Sequence, residues 1–217
     1  MTATPVIRID PSHPDLTLIE RIAENLREGR VIAYPTETFY GLGADAGNEK
    51  AIEKIFSIKG REFNNPIPII IGTLEELGGL VEEIPEAAQR LISLFWPGPL
   101  TLVFRASKAV SPRLTANTGL IGIRISSHPI ARMLAQALGA PLTATSANLS
   151  GKEECTTAQE VAHTMDHLVD GIIDGDRTTG YKGSTVINIT VSPPQILRIG
   201  VISENEIKEA LELNHSP

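Results

Sequence analysis

Two hydrophobic periods alternate along this chain. Leu18, Ile19, Ile22, Ala23 and Leu26 recur at the spacing of one helix face, and Gly29 stands where such a helix can end. Val31-Ile32-Ala33-Tyr34 is a short unbroken apolar run stopped by Pro35, which predicts a buried strand. Asn48 can cap a second helix that turns Ala51, Ile52, Ile55 and Phe56 inward. Ile67 to Ile71 predicts another strand. Thr73 with Glu76, Thr157 with Glu160 and Ser203 with Glu206 have capping-box spacing. Helices are predicted near 86–95 and 129–138, and strands near 100–105, 121–125, 142–144, 171–173, 185–189 and 195–199.

This order predicts one α/β domain over residues 1–217, with α+β character and a twisted mixed sheet. The helix–strand alternation is regular early and irregular later, which argues against a purely parallel, doubly wound sheet. There is no internal repeat and no low-complexity linker. The loop from Ser150 to Thr156 is polar but short, and Asn214 to Pro217 read as a frayed end.

Composition narrows the function classes. Hydrophobic residues are 41% and charged residues 21% of the 217, an ordinary globular balance. The single cysteine, Cys155, cannot form an internal disulfide, which suits a reducing compartment. The N-terminus shows no basic segment followed by an apolar one, and the Ile67–Ile71 run is too short to span a bilayer. A soluble cytoplasmic protein with no membrane partner is the expectation. The formal charge of −7 argues against general RNA coating, leaving weak, salt-sensitive RNA contact. A few Lys and Arg in one cavity could still hold a polyphosphate.

Familiar site motifs are missing. There is no G-x-x-x-x-G-K-[ST] segment, and Gly41-Leu42-Gly43 lacks the third glycine of a dinucleotide fingerprint. His163 and His167 could share a helix face but have no third ligand in view, so no metal site is expected. Cys155 sits in a polar loop with nothing beside it that marks a nucleophile. A G-x-S-x-G elbow is absent.

What remains is a series of polar clusters after predicted strands, each with two readings. Pro35-Thr36-Glu37-Thr38-Phe39-Tyr40-Gly41-Leu42-Gly43 crowds hydroxyls, a carboxylate and glycines at a strand exit, where α/β sheets bind ligands. It could equally be a tight turn using glycine. Lys59-Gly60-Arg61 ends a predicted helix, where cations favour the C-terminus, or it clamps phosphate. Thr143 to Gly151 offers small donors and acceptors, or a Ser- or Asx-type turn. Gly183-Ser184-Thr185 opens a strand, and Arg198 ends one. Trp96-Pro97-Gly98-Pro99-Leu100-Thr101 reads as structural, with Trp96 as an anchor in the core.

In this order the clusters resemble the YrdC family of threonylcarbamoyl-AMP synthases, from about residue 19 to 200. The P-T-E-T-x-Y-G-L-G, K-G-R, W-P-G-P-L-T, R-x-x-x-H-P, T-S-A-N-x-S-G and S-T-V-I segments are all present. The resemblance implies a YrdC-type twisted open mixed sheet with flanking helices and a large concave cleft. It implies a catalytic and ATP-binding set of Lys59, Arg61, Ser146 and Asn148, with Arg198 near the nucleotide. Thr36, Tyr40, Arg124 and Ser184 match positions expected near threonine or on the cleft wall. There are departures. Apolar residues including Ile70 stand near where some relatives have a histidine. Leu120 replaces a threonine, and Asn188 stands where the S-T-V-I segment usually continues to Asp. An extra C-terminal domain, carried by longer relatives, is not expected within this length.

The implied activity is a nucleotidyltransferase forming threonylcarbamoyl-AMP and pyrophosphate from L-threonine, bicarbonate and ATP, for threonylcarbamoyladenosine modification of tRNA. A carbamate oxygen would attack the α-phosphorus, with the protein supplying position and charge neutralisation. Mg²⁺ is expected, held mainly by ATP phosphates, and partner proteins would transfer the group to tRNA. The alternatives are a carbamoyl-adenylate-forming domain of the hydrogenase-maturation type and a non-catalytic RNA-binding module.

Overall fold

The computed structural model describes residues 3–60 and 65–212. Arg61 and the 214–217 tail, both read above, lie outside the described residues. Strands β1 (Val6–Arg8), β2 (Ile32–Tyr34), β3 (Gly41–Gly43), β8 (Thr145–Ser146) and β9 (Gly171–Asp174) form one sheet, in the order β1-β9-β2-β3-β8. Strands β4 (Ile69–Ile70), β5 (Leu100–Arg105), β6 (Leu120–Arg124), β7 (Leu142–Thr143), β10 (Thr185–Asn188) and β11 (Gln195–Arg198) form a second, in the order β11-β10-β5-β6-β4-β7. Both are mixed: β2 runs parallel to β9 but antiparallel to β3, and β5 runs parallel to β10 but antiparallel to β6. The predicted mixed α/β fold is present, with its strands shared between two sheets.

The helices are α1 (Leu16–Arg27), α2 (Glu49–Lys59), α3 (Leu77–Leu80), α4 (Glu86–Phe95), α5 (Pro129–Leu138), α6 (Ala158–Met165) and α7 (Glu204–Glu212). Their ends follow the expected chemistry. Asp15 caps α1, and the Asn48 side chain accepts from Ala51 N–H at the start of α2. Thr157 and Glu160 form the capping box of α6. Thr73 and Glu76 do the same for a single 3-10 turn ahead of α3. Gly60 ends α2 with φ +59°, a left-handed conformation that costs glycine little. Because α6 ends at Met165, His167 lies beyond it, and the expected shared helix face for His163 and His167 does not form.

Two packed clusters flank the first sheet. Ile19, Ile22, Ala23 and Leu26 of α1 meet Ile130, Ala131 and Leu134 of α5 over Ile32 and Tyr34. On the other side Val31, Ala33, Ile52, Ile55 and Phe56 join the larger core beneath Leu100, Leu102 and Phe104. Trp96 packs against that core and donates from Nε1 to the Leu100 carbonyl at 2.7 Å, an anchoring role as read from the sequence. Cys155 is buried rather than exposed in its polar loop, and burial pushes its thiol pKa up. Among the described residues no helix is long and apolar enough to cross a membrane.

Three strands escaped the hydrophobic pattern. β1 is short and largely exposed, and β8 has two residues. β3 is the Gly-Leu-Gly segment, readable as a turn. Gly43 is required sterically: a Cβ there would lie 2.9 Å from a Tyr34 ring carbon and 3.0 Å from Leu142 Cδ1. The Tyr34 ring lies against β3, and its hydroxyl donates to the Thr143 carbonyl at 2.8 Å.

Candidate functional site

Strand geometry alone builds much of one wall. Successive side chains of a strand point to opposite faces. In β5, Leu100, Leu102 and Phe104 enter the core, so Thr101 and Val103 face the other way. In β6, Ile121 and Ile123 go inward, while Leu120, Gly122 and Arg124 face outward. Ser184 and Val186 alternate with buried Thr185 and Ile187. These outward positions line a cavity of about 480 Å³, within the range of small-molecule sites. Gly122 keeps the wall open, because a Cβ there would meet Thr101 Cγ2 at 3.1 Å and Pro68 Cβ at 3.3 Å.

The first sheet supplies the opposing residues, Thr36, Thr38, Phe39, Tyr40, Gly41, Thr145 and Ser146. Thr36 is buried and donates from Oγ1 to the Phe39 carbonyl at 2.7 Å, which closes the turn after β2. The Tyr40 hydroxyl donates to the Asp176 carbonyl at 2.9 Å and accepts from Gly175 N–H at 3.3 Å. Burial pushes its pKa up to about 12, so at neutral pH it is a fixed neutral wall.

Lys59 is the last residue of α2, yet it is only 3% exposed. That burial excludes a solvated cation at a helix end. Its Nζ donates to the Ser146 carbonyl at 2.6 Å and to Asn148 Oδ1 at 2.7 Å. Ser146 Oγ donates to the same Oδ1 at 2.7 Å, and Asn148 Nδ2 donates to the Lys152 carbonyl. The loop is locked onto the helix end, since Ser150 Oγ donates to the Lys59 carbonyl at 2.7 Å. Three of the four sequence-predicted catalytic residues therefore form one hydrogen-bonded group. Only Ser146 of the three lies on the cavity wall; Lys59 and Asn148 stand behind it.

On the far side, Arg198 donates from Nε to the Ser184 carbonyl at 3.0 Å and from Nη2 to Ser184 Oγ at 3.1 Å. Ser184 Oγ lies 2.8 Å from Thr101 Oγ1. Removal from water pushes the Arg198 pKa down; Arg124 pushes the same way and Glu154 opposes it. Two guanidinium groups thus act on each other across one cavity, an arrangement that an anion would relieve. Thr36, Tyr40, Arg124, Ser146, Ser184 and Arg198 are all brought to this cavity.

Sequence reasoning did not select Thr101, Thr118 or Glu154, which also line it. Thr101 closes the W-P-G-P-L-T segment, so that segment contributes to the site as well as to the framework. Its signal was a hydroxyl at the outward phase of a strand. Of the departures, Leu120 is on the wall. Ile70 is fully buried in the core around α1 and α5, and Asn188 Oδ1 accepts from Thr190 N–H at 3.0 Å in a turn. Among the described residues no cluster of three His, Cys, Asp or Glu side chains could hold a metal ion.

A mixed two-sheet fold enclosing a hydroxyl-rich, arginine-bearing cavity defines an α/β protein with a candidate small-molecule site. Comparison with known proteins gives the family. The Sua5/YciO/YrdC model, described as telomere recombination, matches residues 24–200, and the chain belongs to that family. It is 42% identical over 194 residues to a threonylcarbamoyl-AMP synthase of Bacillus subtilis, covering 89% of this chain and 56% of the relative. A threonylcarbamoyl-AMP synthase of Vibrio vulnificus is 34% identical over 184 residues, 84% of this chain and 98% of that one. Among solved structures, P. abyssi Sua5 complexed with L-threonine superposes with a TM-score of 0.93 at 40% identity, over 96% of this chain and 61% of that one. The chain thus spans little more than half the length of the Bacillus relative.

Proposed function

We propose that this chain joins L-threonine, bicarbonate and ATP into threonylcarbamoyl-AMP and pyrophosphate, the activated group for threonylcarbamoyladenosine in tRNA. The observation that carries the reading is the Lys59–Ser146–Asn148 group set against a cavity whose opposite wall bears Arg124 and Arg198. The names of the relatives and the threonine-bound P. abyssi structure support it.

In this reading a carbamate oxygen of N-carboxylated threonine attacks the α-phosphorus, and pyrophosphate departs. No covalent protein nucleophile is needed. Ser146 would turn its hydroxyl from Asn148 Oδ1 to the nucleotide, and the buried Lys59 ammonium places positive charge directly behind it. Arg198 receives the nucleotide from the other side, and Arg61 would join it by family resemblance. Arg124 with Thr36, Tyr40 and Ser184 forms the amino-acid end. Mg²⁺ would offset phosphate charge; with no cluster of three His, Cys, Asp or Glu side chains among the described residues, the phosphates and water would hold it. Transfer to tRNA falls to partner proteins, in keeping with a formal charge of −7 and no basic run in the sequence.

The test is pyrophosphate release by the purified chain with ATP, bicarbonate and a panel of amino acids. Turnover should require bicarbonate and L-threonine together. Equal turnover without an amino acid would overturn the reading and favour carbamoyl-adenylate formation. Salt-resistant RNA binding without turnover would favour the binding module.

A further inference from the structure

Glu37 lies in the turn after β2, directly after Thr36, and its side chain is only 12% exposed. Its Oε1 is 3.1 Å from Arg124 Nη1, and the Arg124 side chain is 8% exposed. Its Oε2 accepts a hydrogen bond from Ser126 Oγ, and Ser126 Oγ in turn accepts from His128 N–H at 3.1 Å. The Glu37 carbonyl accepts from Thr179 Oγ1 at 2.8 Å, which fixes the backbone beneath the side chain. Glu37 is not itself on the cavity wall, whereas Arg124 is. Oε1 is also shut off from solvent and makes no hydrogen bond of good geometry among the described residues. A buried carboxylate is costly unless it is paired, and this one pairs across the gap between the two sheets with a residue that faces the ligand space.

We infer that Glu37 is a positioning residue: it holds the Arg124 guanidinium so that its remaining N–H groups face the cavity and receive the carboxylate of the amino-acid substrate. The inference rests on the proposed threonine-dependent reaction. A guanidinium offers five donors in a planar fork. The ion pair to Glu37 at Nη1 biases the orientation of the group and leaves its other donors for a bidentate carboxylate. An opposing effect exists, because the Glu37 charge also repels a substrate carboxylate. The burial and the double anchoring of Glu37 favour orientation as the larger effect. An unanchored arginine would sample many rotamers, and ordering it would be charged against binding.

The experiment measures pyrophosphate release against threonine and against ATP for wild type, Glu37→Ala, Arg124→Ala and the double variant, with a thermal melt of each. Glu37→Ala should raise the threonine KM roughly tenfold or more. The ATP KM should stay within about twofold to threefold. In the Arg124→Ala background the Glu37 substitution should add little, because its effect passes through the arginine. An unchanged or lower threonine KM in Glu37→Ala would overturn the inference, as would equal shifts in both KM values or full additivity in the double variant. If Glu37→Ala fails to fold, Ser126→Ala removes the second anchor and should give a smaller rise confined to threonine; no such rise overturns the inference. Wild-type inactivity with threonine would remove the functional reading and this inference with it, whereas an active wild type with an indifferent Glu37 removes the inference alone.

Discussion

Replacing Lys59 by methionine separates charge from packing. Methionine retains much of the apolar stem, so the buried volume changes little. The ammonium is lost, with its bonds of 2.6 and 2.7 Å to Ser146 and Asn148. Neither acceptor is stranded. The Ser146 carbonyl also accepts from Asn148 N–H at 3.0 Å, and Asn148 Oδ1 keeps the Ser146 hydroxyl at 2.7 Å. Removing a buried cation also removes its desolvation penalty. The stability cost is therefore modest, about 1–2 kcal/mol, or roughly 2–8 °C in melting temperature for a chain of this size. The cost to turnover should be larger. A charge-assisted contribution of about 1.5–3 kcal/mol to the transition state corresponds to about ten- to a hundredfold in rate. Pyrophosphate release beside a thermal melt measures both. Thr157→Ala, which deletes the α6 capping box at a residue that does not line the cavity, should cost about 1 kcal/mol and leave turnover intact. Wild-type kcat and ATP KM in Lys59→Met would refute an electrostatic role for this lysine. So would a loss of turnover that tracks stability in both variants.

Arg198→Ala should raise the ATP KM about tenfold, and Arg198→Lys should recover little of it, since an ammonium cannot reproduce two directed bonds to Ser184; steady-state kinetics decides. Gly43→Ala should cost about 1–3 kcal/mol in urea denaturation because its Cβ meets Tyr34 and Leu142, whereas Gly78→Ala, with open space around its Cβ in α3, should be neutral or stabilising by up to about 1 kcal/mol. His128 Nδ1 is buried without a hydrogen-bond partner among the described residues, and burial lowers its pKa while Glu37 and Asp176 oppose the shift. The unfolded state then binds more protons between that depressed value and the ordinary imidazole value of about 6.5, so stability is present above this window and lost as pH falls through it. Urea melts at pH 5 and 7.5 should show a larger loss on acidification for wild type than for His128→Asn, and equal losses would refute the assignment.

The strands with strict alternation were legible from sequence because one face of the second sheet meets a core and the other a cavity. The Leu-Thr-Leu-Val-Phe run of β5 carries that difference in its own pattern. β3 was not legible, because its glycines serve the ring of Tyr34, and a contact with another strand leaves no local period. Lys59 was ambiguous for a related reason. A cation ending a helix looks the same in sequence whether water surrounds it or a loop 87 residues later folds across it. Its place beside Ser146 and Asn148 came from the ordered set of motifs rather than from any one of them. Glu37 was visible as a carboxylate at a strand exit, but its partner Arg124 lies in the other sheet, beyond the reach of periodicity.

The pairing of β1 with β9 has a consequence for synthesis. Arg8 and Asp174 are 166 residues apart in the chain, yet they are adjacent partners in the first sheet. A ribosome adding about 5–20 residues per second needs roughly ten to thirty seconds to deliver that partner after β1 has emerged. During that interval the edge of β2 that β9 will cover has no strand beside it. The nascent chain therefore depends on α1, already made and amphipathic, to shield one face of β2 while its neighbouring strand is still being translated.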